Sequence, residues 1–158
     1  MDKVSLFVDV QNIYYTTRQG FSAHFDYNAF WARATANREV VVAIAYAIDR
    51  NDAKQRQFQN ILRGIGFEVK LKPWIQRGDG SAKGDWDVGI TLDVMEYAVD
   101  SDVIVLASGD GDFDLLLKRA HQRYAVRTEV YSVRALTAQS LIDSASAYYP
   151  IDETLLLS

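Results

Sequence analysis

Aspartates stand at or just after the ends of three apolar runs, and they are the side chains of this sequence best suited to chemistry. Asp9, Asp49 and Asp110 each occupy such a place, Asp112 lies two residues beyond Asp110, and Asp87 lies in the first turn of an apolar segment expected to be helical. Crowded carboxylates raise one another's pKa, so they need bound protons, basic side chains or a cation. An all-carboxylate set favours Mg²⁺ or Mn²⁺ over zinc. We therefore predict a divalent-metal site formed by Asp9, Asp87 and Asp110, with Asp112 bound directly or through water.

Each of these aspartates, taken alone, has an ordinary structural interpretation. Asp9 could face solvent at a strand end, and Asp110 and Asp112 could be helix-start acids favoured by the helix dipole. The metal-site prediction therefore depends on Asp9, Asp87 and Asp110 meeting at one place in the fold.

Competing motifs fail at specific positions. The alternating aspartates from Asp110 onward begin like a calcium-binding EF-hand loop, but its sixth position is Leu115 and its twelfth is His121, where glycine and glutamate are needed. No glycine follows the first apolar run and no GxxxxGK[ST] motif occurs, so we predict no nucleotide cofactor. A metal-free site would need to pair His24 with His121, which is expected on the opposite edge of the sheet from the acids.

The elements that must position these residues alternate between strands and helices. Apolar runs predict five strands, at residues 4–10, 40–48, 67–71, 103–107 and 126–133. Helical patterns lie between and after them, at residues 13–15, 27–36, 52–63, 85–99, 113–123 and 137–147, with Asp26 and Asp85 expected as N-caps. This order predicts a three-layer α/β/α, Rossmann-like fold with a mostly parallel five-stranded sheet. Ligands of such sheets bind beyond the carboxyl ends of the strands, which is where the acids should collect.

Charge is segregated along the chain. The formal net charge is −4, yet residues 50–83 hold eight basic and three acidic residues, whereas residues 85–114 hold nine acids and no Lys or Arg. A basic surface beside an acidic cluster suggests an anionic ligand held next to the metal site, although a solvated charged face would have the same composition. The expected substrate contacts from this stretch are Arg50, Lys54, Lys72, Arg77 and Lys83, with Trp74 stacking on an unpaired base or packing beneath its own loop.

Length and composition predict one soluble domain. The chain has 158 residues, 49% of them apolar and 24% charged, which is long enough to bury a sizeable core. It has no cysteine, which excludes disulfides, thiolate zinc sites and a cysteine nucleophile. No leader or membrane-spanning segment is recognisable, so we expect a cytoplasmic protein with no membrane partner. We place the domain at residues 1–147 and a C-terminal tail at residues 148–158.

Three short motifs together resemble a known family. They are FVDVQN at residues 7–12, KGDWDV at residues 83–88 and SGDGDF at residues 108–113. In order and spacing they resemble the signatures of the NYN domain, the LabA-like branch of the PIN-like nucleases, and the resemblance runs from Val4 to about Ser146. It implies a PIN-like α/β/α fold and a metal-dependent ribonuclease site, and it is the only reason to favour RNA over DNA.

The resemblance also implies roles for individual residues. The acidic positions of the family are matched by Asp9, Asp87, Asp110 and Asp112, and its polar companions by Asn12, Lys83 and Ser108. Two residues, Asp85 and Trp86, separate Gly84 from Asp87 where many relatives have one. Either Asp85 or Asp87 could therefore be the ligand, and Asp87 is favoured because Val88 follows it. Asp93 also matches a family acid, but six helical residues beyond Asp87 it is rotated by about 120° and is interpreted as peripheral.

We therefore expect a Mg²⁺- or Mn²⁺-dependent ribonuclease that hydrolyses single-stranded RNA. Asn12 would orient a ligand carboxylate or the substrate, or would only cap the helix after the first strand; Lys83 would offset phosphate charge, and Ser108 would contact the substrate. One alternative is a non-catalytic RNA-binding or regulatory module of the same fold. Another is an interaction domain whose tail, residues 148–158, docks on a partner or on a second copy to give a homodimer.

Overall fold

Strands and helices alternate along the chain in the computed structural model, which describes residues 1–73, 75–76, 82–83 and 85–158. The strands are β1 (Asp2–Asp9), β2 (Arg38–Asp49), β3 (Glu68–Pro73), β4 (Ile75–Gln76), β5 (Ala82–Lys83), β6 (Val103–Ala107), β7 (Arg127–Ser132) and β8 (Ala147–Pro150). The α-helices are α1 (Val10–Phe21), α2 (Tyr27–Ala34), α3 (Ala53–Ile65), α4 (Asp87–Ala98), α5 (Asp114–Tyr124) and α6 (Gln139–Ser144).

Six strands form one parallel sheet in the order β3-β2-β1-β6-β7-β8. The short strands β4 and β5 pair with each other in an antiparallel hairpin. Strands β2 and β3 are added on one side of β1, and strands β6, β7 and β8 are added on the other. The strand order therefore reverses between β1 and β6. Such a change leaves a crevice at the carboxyl ends of the two strands, which is the usual ligand site of open α/β sheets.

Both faces of the sheet are covered, which explains why its central strands are apolar throughout. Successive β1 side chains point to opposite faces: Leu6 joins a core that includes Phe30 of α2, and Phe7 joins a second core that includes Ile90 of α4. Helices α1, α2 and α3 cover the first face, and α4, α5 and α6 cover the second. The predicted three-layer α/β/α fold is therefore confirmed.

The prediction of five strands is wrong by one, because β8 adds a sixth. The final helix, predicted over residues 137–147, is the shorter α6, and the chain then pairs in parallel with β7. Tyr149 stacks on Tyr131 with ring centroids 5.0 Å apart, and the Tyr148 hydroxyl donates to the Ser132 carbonyl at 3.0 Å. Pro150 is tolerated because β8 is an edge strand.

The residues after β8 pack back onto the first core. Ile151 and Leu155 are buried, and the Asp26 backbone N–H donates to the Leu155 carbonyl at 2.8 Å. Within the described part of the chain, no helix has the length and apolar character needed to cross a membrane.

Candidate active site

The predicted acids lie at the carboxyl ends of β1 and β6 and at the start of α4. Asp9 ends β1 and caps α1, where one carboxylate oxygen accepts from the Asn12 backbone N–H at 3.3 Å. Its other oxygen accepts from the Ser108 hydroxyl, also at 3.3 Å. Asp9 is only 9% exposed, so these two hydrogen bonds fix a carboxylate that has little contact with solvent.

The loop after β6 is tied to the start of α1 by side-chain hydrogen bonds. The Asn12 side-chain oxygen accepts from the Gly109 N–H at 2.9 Å, and Ser108 Oγ accepts from the Asp110 N–H at 3.2 Å. A side chain at position 109 would lie 3.0 Å from Thr137 Oγ1 and 3.2 Å from the Leu136 carbonyl oxygen, so only glycine fits without displacement. This packing fixes the path of the loop after β6 and therefore the position of Asp110.

Three carboxylates converge beside Asp9. One oxygen each from Asp87, Asp110 and Asp112 lies within 4.8 Å of the other two. Asp110 caps a 3₁₀ turn at Gly111–Phe113 and accepts from the Asp112 N–H at 2.9 Å, which holds the two aspartates together. Asp9 is outside this group of three and is connected to it through Ser108.

Asp87, not Asp85, contributes to the three-carboxylate group. The predicted N-cap at Asp85 is wrong, because α4 begins at Asp87 with Trp86 in the cap position. Asp85 lies two residues before the first residue of the helix, and its carboxylate accepts from the Asp87 N–H at 3.3 Å. The Trp86 ring anchors this helix start by donating from Nε1 to the Ala47 carbonyl at 2.9 Å.

The electrostatics of the group favour a bound cation. Burial, opposed by the hydrogen bonds from Asn12 and Ser108 and reinforced by the charges of Asp110 and Asp85, raises the pKa of Asp9 to about 6. Burial and the charges of Asp110 and Asp85 raise the pKa of Asp87 to about 7. Among the side chains that the structure describes, the ion pairs involve Asp93 and Glu129 and none of the four clustered aspartates.

This donor set fits Mg²⁺ or Mn²⁺. It consists of carboxylate oxygens alone, of which Asp87 and Asp110 are half-buried and Asp112 is exposed. Hard divalent cations prefer such oxygen ligands. Asp93, in contrast, accepts from Lys70 Nζ and from the Tyr46 hydroxyl, each at 2.7 Å, and is occupied by these contacts.

The predicted substrate-binding residues are distributed around this centre. Arg50 and Lys54 line a cavity between α1 and α3, on the β2 side of Asp9. Lys72 Nζ donates to the Asp85 carbonyl at 3.0 Å and lies 4.5 Å from the centre of the Trp86 ring. Trp74 and Arg77 lie outside the described residues, as does the side chain of Lys83, whose backbone forms part of β5.

Sequence reasoning did not identify the polar residues inside that cavity. Tyr27 and Gln59 line it while remaining 8% and 4% exposed. No local motif marks either residue, because Tyr27 follows an ordinary cap and Gln59 lies within an amphipathic helix. Only the packing of α2 against α3 reveals their position.

The parallel three-layer fold, with acids gathered at the carboxyl ends of its central strands, defines a PIN-like, nuclease-type protein. The chain belongs to the NYN domain family, whose model matches residues 3–152. It is 27% identical over 165 residues to the Low amplitude and bright protein LabA of Synechococcus elongatus, covering 96% of this chain and 84% of that protein. The predicted resemblance to this family is therefore confirmed.

Solved structures agree with the fold. A crystal structure of a protein of unknown function from Vibrio parahaemolyticus RIMD 2210633 is 60% identical to this chain, with a TM-score of 0.94 over 99% of this chain and 96% of that one. MurG from Acinetobacter baumannii is 11% identical with a TM-score of 0.52, covering 100% of this chain and 44% of that one. At that identity the likeness to MurG concerns the fold alone.

Proposed function

We propose that this protein is a metal-dependent ribonuclease that hydrolyses phosphodiester bonds of single-stranded RNA. The observation that carries the proposal is the convergence of Asp87, Asp110 and Asp112 within 4.8 Å, beside the buried carboxylate of Asp9. Family membership supports the reaction class, and the nature of the family supports RNA as the partner.

Asp87, Asp110 and Asp112 would hold Mg²⁺ or Mn²⁺, with Asp9 contributing from the β1 side. When bound, the ion supplies Lewis-acid activation of water and stabilises negative charge on the leaving oxygen. The carboxylates themselves bind the ion and repel misplaced phosphates, so that an anionic substrate enters productively only when their charge is neutralised.

The surrounding polar residues hold this arrangement in place. Ser108 and the Asn12 backbone fix both oxygens of Asp9, and the Asn12 side chain holds the loop that carries Asp110. Substrate contacts are proposed for Arg50, Lys54, Lys72, Trp74 and Arg77, with Lys83 offsetting phosphate charge. Ser108, which was expected to contact the substrate, is fully buried and its hydroxyl is bonded to Asp9 and to the Asp110 N–H, so its role is to hold those two residues. The positive charges of the five basic residues would counter the repulsion between RNA and a chain of net charge −4.

Cleavage of end-labelled single-stranded RNA by the purified protein tests the proposal. We expect cleavage with Mn²⁺ or Mg²⁺, none with chelator, and a loss of at least about 100-fold in Asp110→Asn, because removing a ligand from a metal site removes the activated water. Asp100→Asn is the matched control, since Asp100 is exposed just beyond the far end of α4. Cleavage that persists in chelator or in Asp110→Asn would contradict the proposal. Salt-sensitive RNA binding without any cleavage would favour the non-catalytic module instead.

Cytoplasmic location and homodimerisation stay predictions. Measuring the molar mass of the protein in solution would test self-association.

A further inference from the structure

The cavity lined by Arg50 and Lys54 lies beside Asp9, on the side of α1 and α3. Its volume is about 570 Å³, and its wall includes Val10 and Gln11, which directly follow Asp9 in the chain. Tyr27 lies on the same wall, and burial, reinforced by the charge of Asp9, raises its pKa. The cavity wall therefore starts at the residues that follow Asp9, and its volume falls within the range of small-molecule sites, about 300–1,000 Å³.

Two buried polar side chains reach this cavity without a protein partner. Gln59 is 4% exposed and Tyr27 is 8% exposed, and neither side chain forms a hydrogen bond with any described residue. No described side-chain polar atom that is fully occluded lacks a partner, so the Gln59 amide and the Tyr27 hydroxyl must retain contact with the cavity space. Buried polar groups in native proteins are normally paired with protein or with water, so these two groups are available to hydrogen-bond a ligand that displaces water from the cavity.

The remaining wall is aromatic and its rim is basic. Tyr27 makes edge-to-face contacts with Phe25, at 4.9 Å between ring centroids, and with Phe58, at 5.5 Å. Arg50 and Lys54, with Asp52 between them, lie on the part of the wall formed by the end of β2 and the start of α3 and give this rim a net positive charge. This wall fits a flat, largely apolar ligand with hydrogen-bonding groups at its edge. An anionic group attached to that ligand would lie at the rim, near Arg50 and Lys54.

We propose that the cavity is a nucleobase pocket that receives one unstacked base of the RNA strand whose phosphate lies at the carboxylates. This inference rests on the proposed ribonuclease function and adds a base-reading site to it. The Gln59 amide donates and accepts at once, as pairing with the edge of a base requires. The Tyr27 hydroxyl provides a second polar contact, and the basic rim faces the adjoining phosphates.

Titration with the four ribonucleosides, followed by NMR in the presence of chelator, tests the pocket without any cleavage reaction. We expect saturable shifts of the Gln59 side-chain amide and of cavity residues with at least one nucleoside. Gln59→Leu should weaken that binding at least tenfold, and Tyr27→Phe should weaken it by a smaller factor. Gln57→Leu is the matched control, because Gln57 lies on the same helix but is exposed and outside the cavity. This variant should bind the nucleoside with the affinity of the wild type.

The possible results test the pocket proposal and the ribonuclease proposal independently. No saturable shift with any nucleoside, or equal affinity in wild type and Gln59→Leu, overturns the pocket even if metal-dependent cleavage is observed. Nucleoside binding that is lost in Gln59→Leu, in a protein that cleaves no RNA, supports the pocket and overturns the enzyme. Gln59→Leu should be at least as stable as wild type, since it removes a buried polar group without a protein partner. Should it fail to fold, Tyr27→Phe and the wild-type titration decide the question.

Discussion

At the residue scale, Asn12 connects the two strand ends that carry Asp9 and Asp110. Its side-chain oxygen accepts from the buried Gly109 N–H, and its backbone N–H donates to Asp9. We expect Asn12→Ala to lower the free energy of unfolding by about 1–3 kcal/mol, because it leaves a buried N–H without an acceptor. RNA cleavage should fall as well, since the loop holding Asp110 loses its tether.

Chemical denaturation and the RNA cleavage assay check the Asn12 prediction. The control is Asn60→Ala, because Asn60 is exposed and contacts only the exposed Arg63 side chain through its amide. Equal stability and equal cleavage in Asn12→Ala and Asn60→Ala would show that the tether is unimportant.

Metal binding should be visible in the stability of single-residue variants. If the carboxylates hold Mn²⁺ only in the folded state, as proposed, Mn²⁺ should raise the Tm of the wild type and should raise that of Asp87→Asn much less. Without metal at pH 8, Asp87→Asn should be more stable than the wild type. The raised pKa of Asp87 means that its ionised form is disfavoured in the folded state, so Asp87→Asn should gain about 1 kcal/mol after solvent screening is allowed for. Thermal scans with Mn²⁺ and with chelator measure both effects, and an equal Mn²⁺ shift in both proteins would exclude Asp87 as a ligand.

The acids of the site were predictable and the cavity was not, for a physical reason. Asp9 ends β1 and Asp110 comes three residues after β6, so the parallel topology brings both to one edge of the sheet. Gln59 and Tyr27 become notable only because α2 and α3 bury them without supplying partners. That property belongs to the three-dimensional packing and leaves no trace in local spacing.

At the scale of elements, a buried ion pair connects the start of β2 to β7 across the first core. Glu129 is 2% exposed in its side chain and accepts from Arg38 at 2.8 and 2.9 Å and from Arg127 at 2.9 Å. Burial acts to raise the pKa of Glu129, but the hydrogen bonds and charges of the two arginines outweigh it and lower the pKa below 4.5. A lowered carboxyl pKa stabilises the folded state above the unfolded pKa, and that stabilisation is lost as the pH falls through the folded pKa.

Glu129→Gln should therefore be destabilising at neutral pH and less so in acid. We expect a loss of about 1–3 kcal/mol at pH 7, because a neutral amide cannot compensate the charges of Arg38 and Arg127, whose side chains are 20% and 47% exposed. The difference from wild type should narrow as the pH falls through the lowered pKa of Glu129, where the wild-type carboxylate becomes protonated. Urea unfolding at several pH values measures this, with Glu39→Gln, an exposed site on β2, as control. A difference that does not change with pH would mean that the charge of Glu129 is not what stabilises the fold.

The elements predicted well are those whose patterns are long and apolar. The strand at 103–107 was predicted to the residue, because β6 is buried along its entire length. The edge strand β8 was missed because four residues after a helical pattern give little periodicity, and its pairing depends on contacts such as that between Tyr149 and Tyr131, which are distant in sequence.

At the scale of the whole molecule, the C-terminal segment bears on both the fold and the cavity. Leu155 is fully buried in the first core, Leu156 forms an isolated bridge with Phe25, and Leu157 lines the cavity. The leucines that could have been a docking segment therefore complete the chain's own core and one wall of the proposed base pocket.

An acidic protein that binds RNA must do so through a local basic surface, and the salt dependence of binding can locate that surface. Affinity for a labelled single-stranded RNA, measured in the Asp110→Asn background to prevent cleavage, should fall steeply as salt rises. Each lost phosphate contact should reduce the slope of log K against log salt by about 0.7. Lys54→Gln should produce such a reduction, because Lys54 lies on the basic rim of the cavity beside Asp9. Lys118→Gln removes the same charge from an exposed position on α5, in the opposite helical layer, and should lower the affinity only slightly with the slope preserved. Equal slopes in the two variants would mean that RNA is attracted by the charge of the whole protein and not by this rim.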